Sequence, residues 1–136
     1  ELFLVETLGL DWSEIHEEAE KLEHAISDRV LEQIDTLLGH PKVDPHGDPI
    51  PSESGNLSNE FLLNLCNCAL NQPQHIARIT DQSSEFLQFI NKSGLKPGVT
   101  LIVQEREPAA DAITLHLSNG KSLIVGTPAG EKIFVE

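Results

Sequence analysis

The segment HPKVDPHGDPIPSESG, residues 40–55, packs four prolines and two glycines into one short stretch. Proline fixes its own φ and has no N–H to donate, so neither a helix nor a central strand passes through such a run. It therefore divides the chain, and we expect an extended connector that leaves one folded piece and leads to another. The hydrophobic period changes across it, from helical before to alternating after.

Upstream, ELFLVETLG opens directly into apolar, helix-forming sequence with no capping residue, and Gly9 is placed to close it. No methionine occurs in the chain. Together these suggest a sequence that starts inside a helix, with something missing ahead of it. Asp11 followed by Glu14 reads as a capping box for a helix reaching about Ile26. Its apolar residues Ile15, Ala19, Leu22 and Ile26 make one narrow stripe. Ser27 and Asp28 offer a fresh cap for a second helix, with Val30, Leu31, Ile34, Leu37 and Leu38 on one face and Gly39 at its end. Two such helices and a stub cannot bury all this apolar surface among themselves, which points to a two-fold homodimer.

Downstream, FLLNLCNCAL suits either a strand or a short helical turn. QHIARI, VTLIVQE, AITLHL, KSLIV and EKIFVE read as strands by alternation and β-branched content, and SSEFLQFINKSG as a helix capped by Ser83 or Ser84 and ended by Gly94. Ser118-Asn119-Gly120-Lys121 predicts a type I′ hairpin. Four or five short strands suit a small SH3-like barrel. The fold class is thus α+β: a helical dimerisation domain over 1–50, a linker over 51–74, and an SH3-like domain over 75–136.

Nine basic residues stand against 22 acidic ones, for a net charge of −13. Phosphate neutralisation needs Lys and Arg, so this chain alone is a poor DNA-binding surface; its charge suits a cation. No apolar run approaches the ~18 residues that span a bilayer, and no signal-peptide pattern is present, so we expect a cytoplasmic protein with no membrane partner. Cys66 and Cys68, one residue apart, suit reduced thiols better than a strained disulfide.

The stretch HEEAEKLEH, residues 16–24, carries the chemistry. At ~100° per residue, His16, Glu20, Glu23 and His24 share a sector of roughly 100° that avoids the apolar stripe. Two imidazoles and two carboxylates form a nitrogen–oxygen donor set suited to Mn²⁺, Fe²⁺, Zn²⁺ or Co²⁺. One helix cannot complete the shell, and a solvated Glu-rich face with a Glu17–Lys21 pair is the competing reading. The HExxH of zinc proteases fails because Glu20 stands where the second histidine is needed, and no Glu-x-x-His pair exists for a di-iron bundle, so no enzyme is indicated. His40, His46, His75 and His116 are expected to be structural or solvent-facing.

The ordered motif LGLDW, HEEAEKLEHAISD, LLGHPKVDPHGDPIP closely resembles the dimerisation domain of the diphtheria-toxin-repressor family of metal-dependent transcriptional regulators. The tail from ITDQSSEFLQFINKSG to EKIFVE is similar to that family's SH3-like (FeoA-like) C-terminal domain. The resemblance implies a homodimer whose N-terminal winged helix, absent here, binds operator DNA when Mn²⁺ or Fe²⁺ is bound, with Zn²⁺, Co²⁺ or Ni²⁺ as substitutes in vitro. It places Glu20, Glu23 and His24 on the primary metal site, and Glu1 and His16 on an ancillary one, both incomplete in this chain. Glu20 stands where iron-sensing members carry Cys, which favours the manganese-sensing branch. Asp81, Gln82 and Glu85 are candidates for ligands donated by the SH3-like domain. The alternative is a stand-alone metal-binding dimer or SH3-like interaction module with no DNA role.

Overall fold

The computed structural model describes residues 1–50 and 62–136. The end of the proline-rich segment and the linker residues 51–61 lie outside the described residues. The chain forms two compact units, Glu1–Ser58 and Asn59–Glu136.

The first unit is helical. Helix α1 spans Leu2–Glu6 and buries Leu4, and Gly9 follows it at φ +71, the left-handed turn expected there. The capping box does not form. Asp11 Oδ1 accepts from the backbone N–H and the hydroxyl of Ser13, at 2.8 and 2.6 Å, so its carboxylate is spent on a local Asx turn. Trp12, Ser13 and Ile15 are buried in that turn. Helix α2 therefore begins late, at His16, and runs to Ala25, where Ile26 turns extended. The second cap holds as read: Ser27 Oγ accepts from Val30 N–H at 3.3 Å, and α3 spans Asp28–Leu37. Neither α2 nor α3 has a buried residue within its unit, and Val30, Leu31 and Leu37 of α3 are exposed.

The proline-rich segment is more ordered up to residue 50 than a connector would be. Ile50 N–H donates to Lys42 carbonyl at 2.8 Å, Asp44 N–H donates to Asp48 carbonyl at 2.8 Å, and Val43 and Pro49 form an isolated bridge. The reason is Asp44, whose Oδ1 accepts from the N–H groups of His46 and Asp48, both at 2.8 Å, and folds the chain back on itself. Prolines exclude long ladders, but they leave such a tight side-chain-closed turn free to form.

The second unit is a six-stranded antiparallel sheet in the order β1-β6-β2-β3-β4-β5, an SH3-like domain. Its strands are β1 Leu63–Asn64, β2 Pro73–Ile79, β3 Thr100–Glu107, β4 Ala112–Leu117, β5 Ser122–Gly126 and β6 Ile133–Val135. Residues 62–74, expected as linker, thus already carry β1 and the start of β2. FLLNLCNCAL resolves into both of its readings: the short β1, then a turn in which Cys68 N–H donates to Asn64 carbonyl. Arg106 of β3 holds that turn, donating from Nε to Leu65 carbonyl and from Nη2 to Cys68 carbonyl.

Alternation works as read on β4, where Ile113, Leu115 and Leu117 point into the core with Leu101 and Val103 of β3. Bulges in β2 between Ile76 and Arg78 and in β3 between Val103 and Glu105 let β2 pair with both β3 and β6. Helix α4, Ser84–Ser93, is capped by Ser83 Oγ, which accepts from Phe86 N–H; it buries Leu87 and Ile90 and ends at Gly94 with φ +74. The β4–β5 hairpin differs from the type I′ expectation. Gly120 alone has positive φ, and Leu117 N–H donates to Lys121 carbonyl at 2.7 Å, which marks a longer loop with one left-handed glycine. A short helix α5, Thr127–Gly130, was not legible in the sequence.

Candidate metal centre

Glu20, Glu23 and His24 share the exposed face of α2. All three line an open groove of about 850 Å³ in the helical unit, and Glu1 and His16 line it as well. A helix places residues three and four apart side by side, which is why this triplet shares one wall. Among the described residues its side chains do not gather into a tight cluster; they line the groove along one helix.

Glu1 and His16 do meet. His16 Nδ1 stands 3.2 Å from Glu1 Oε1, bringing together residues 15 apart in sequence. Glu1 is ahead of α1 and His16 is the first residue of α2, so the turn around Trp12 sets this approach.

The same carboxylate reaches a residue that spacing did not single out. His46, 1 % exposed, points Nδ1 at Glu1 Oε2, 3.5 Å away, and at Asp44 Oδ2, 3.4 Å away. Its other nitrogen, Nε2, donates to Trp12 carbonyl at 2.9 Å, and the indole and imidazole rings lie 5.4 Å apart. Burial works against an imidazolium here, but the hydrogen bonds to Asp44, Glu1 and Trp12 outweigh it and raise the His46 pKa from 6.5 to about 10. His46 in turn, helped by Asp44 and His16 against the cost of burial, lowers Glu1 from 4.5 to about 2. Among the described residues, Glu1, Asp44 and His46 are the group whose potential ligand atoms all lie within 4.8 Å of one another. The spacing Asp-x-His-x-Asp over 44–48 is a local signal for a side-chain-closed turn that the connector reading passed over; the partner at Glu1 has no local signal.

In the second unit, Asp81 Oδ2 accepts from Lys132 Nζ at 2.8 Å, and that ammonium lowers the carboxyl pKa. Burial raises both thiols, Cys66 and Cys68, which are free and protonated. The clustered group among the described residues contains imidazole and carboxylate and no Cys, a donor set that fits Mn²⁺, Fe²⁺ or Zn²⁺.

Residues 1–52 match the family model "Iron dependent repressor, metal binding and dimerisation domain", and residues 63–136 match the FeoA domain. A curated relative, the iron-dependent repressor IdeR of Mycobacterium leprae, is 27 % identical over 85 % of this chain. The chain spans about half, 55 %, of that repressor's length. IdeR of Mycobacterium tuberculosis is 41 % identical over 51 residues, which are 38 % of this chain and 22 % of that protein. Among solved structures, a manganese-dependent transcriptional repressor superposes with TM-score 0.93 at 38 % identity, covering all of this chain and 73 % of that one. The repressor ScaR with bound Zn²⁺ gives TM-score 0.85 at 33 % identity, over all of this chain and 67 % of its own. With both units accounted for by these matches, the chain belongs to the diphtheria-toxin-repressor family of metal-dependent transcriptional regulators.

Proposed function

We propose that these residues are the C-terminal part of a Mn²⁺- or Fe²⁺-dependent transcriptional repressor acting in the cytoplasm. In this reading Glu20, Glu23 and His24 contribute to the primary metal site, and Glu1 and His16 to an ancillary one. The observation that carries it is the shared wall of the groove: three donors of one helix face space that a second element must fill. The relatives that are described as manganese-dependent and iron-dependent repressors support the metal class.

Residues 1–50 serve dimerisation and metal binding, and the FeoA-like module starts earlier than residue 75, since β1 and the start of β2 already belong to it. The homodimer is carried by the exposed apolar side of α3, where Val30, Leu31 and Leu37 find no cover in their own unit. Glu20 and Glu23, side by side, repel each other. A bound divalent ion supplies the charge that neutralises them. The carboxylates then tie α2 to an N-terminal arm and set the spacing of two DNA-reading heads outside these residues.

The native protein purified from its source provides the test. Its intact mass should exceed this chain by a small domain, on the order of 50–100 residues, and its binding to operator DNA should require Mn²⁺ or Fe²⁺. A native mass equal to this chain would instead establish the stand-alone metal-binding dimer.

A further inference from the structure

Asn119-Gly120, at the tip of the β4–β5 hairpin, is the one Asn-Gly pair in the 136 residues. Both residues are exposed, in the loop between Leu117 and Ser122. An asparagine amide carbon and the backbone nitrogen of the next residue can close a five-membered ring. Whether they do so depends on the freedom of that nitrogen and the polarisation of that amide.

Both conditions are met here. Lys121 N–H donates to Asn119 Oδ1 at 2.9 Å. That bond draws electron density from Cγ and stabilises the negative charge that develops on Oδ1 as a nucleophile adds, the task of an oxyanion donor. Glycine leaves the attacking side unshielded: it has no Cβ, and the position where one would stand has nothing within 4 Å. Gly120 N–H does donate to Leu117 carbonyl at 3.0 Å. A single hydrogen bond of that kind, open to water, restrains the nitrogen by about tenfold at most.

Asn64 is the matched contrast. Its Oδ1 accepts from Cys66 N–H, two residues on, also at 2.9 Å, so its amide is polarised in the same way. The nitrogen that would attack belongs to Leu65, which is fully buried and donates to the carbonyls of Gly130 and Ile133. That nitrogen comes free only when the packing between β1 and β6 opens.

We infer that Asn119 is a site of spontaneous succinimide formation and deamidation. Gly120 N bonds to Asn119 Cγ, the Cγ–Nδ2 bond breaks, and Nδ2 leaves as ammonia with the Gly120 amide proton. Water then opens the ring, its hydroxyl adding to one of the two ring carbonyl carbons and its proton to the ring nitrogen. One direction of opening gives aspartate. The other gives isoaspartate, whose main chain runs through Cβ and Cγ and is one carbon longer. Either product adds a negative charge to a chain already at −13. The longer product falls in a loop closed by Leu117 N–H on Lys121 carbonyl at 2.7 Å. β5 is an edge strand paired only with β4, so the extra carbon loosens the one ladder that holds it.

The folded 136-residue chain, incubated at mildly alkaline pH in water labelled with heavy oxygen and analysed by peptide mass spectrometry, provides the test. The Asn119 peptide should lose ammonia and take up one labelled oxygen ahead of the peptides carrying Asn64, Asn67, Asn71 and Asn91. Isoaspartate should accompany aspartate among its products, as ring opening requires and direct amide hydrolysis does not. The same chain unfolded in guanidinium sets the rate of the unrestrained pair, and the folded rate should lie within about tenfold of it. In the isoaspartate fraction, hydrogen exchange of the β5 amides should be faster than in fresh protein. Asn64 reacting before Asn119, aspartate as the sole product, a folded rate more than about a hundredfold below the unfolded one, or unchanged β5 exchange would each overturn the inference.

Discussion

His46 Nε2 donates to the backbone carbonyl of Trp12 at 2.9 Å, across 34 residues of sequence. That bond fastens the turn of the proline-rich segment to the turn before α2. Replacing the side chain by Ala leaves a buried carbonyl without its donor and two carboxylates facing each other. We predict a loss of about 2–4 kcal/mol, measured by urea unfolding at neutral pH. A loss under about 0.5 kcal/mol would show that the turn is held by its backbone alone.

The same cluster sets the pH range of the metal-free chain. Glu1 titrates lower in the folded state, about 2 against 4.5, so its contribution is present above 4.5 and lost as pH falls toward 2. His46 titrates higher, about 10 against 6.5, so its contribution is complete below 6.5 and lost as pH rises through 10. Unfolding measured across pH should show stability falling on both sides of a plateau between about 4.5 and 6.5. His46→Gln should flatten the alkaline limb, and a limb left unchanged would assign it to other groups.

A third expectation concerns Gly130 in α5. A Cβ there would lie 2.5 Å from Ile113 Cδ1 and 3.3 Å from Cys66 Sγ. Ile113 is buried on β4 and has little space in which to retreat. Gly130→Ala should cost about 1–3 kcal/mol of stability in the second unit by overpacking, read by denaturant unfolding. A neutral or stabilised variant would mean the core there yields.

The dimer reading has its own check. Leu31 and Leu37 are 57 % and 67 % exposed on α3. Glu at both positions should convert a dimer to a monomer in sedimentation velocity while helical circular dichroism stays the same. A variant sedimenting like the unaltered chain would move the interface elsewhere.

What the sequence disclosed, and what it did not, follows from the range of each interaction. Ser27 and Ser83 were readable as caps because a cap acts within three residues. The strands of the second unit were readable because Ile113, Leu115 and Leu117 alternate along one segment. Asp11 misled because the same carboxylate serves a cap or an Asx turn, and the burial of Trp12 and Ile15 decides between them. That Glu20, Glu23 and His24 share one face of α2 was visible from helical spacing, and the Glu1–His16 approach only through the family resemblance. His46 was passed over because its partners, Glu1 and Trp12, lie far away in sequence, and only the fold brings them together.

The central claim is that α2 supplies metal ligands, and the thermal shift caused by Mn²⁺ tests it most directly. The full chain should be stabilised by Mn²⁺, by about 2.7 kcal/mol at a hundredfold excess over Kd. Glu20→Gln with His24→Gln should abolish most of that stabilisation without altering the unfolding of the metal-free protein. An equal shift in the double variant and the unaltered chain would contradict the account.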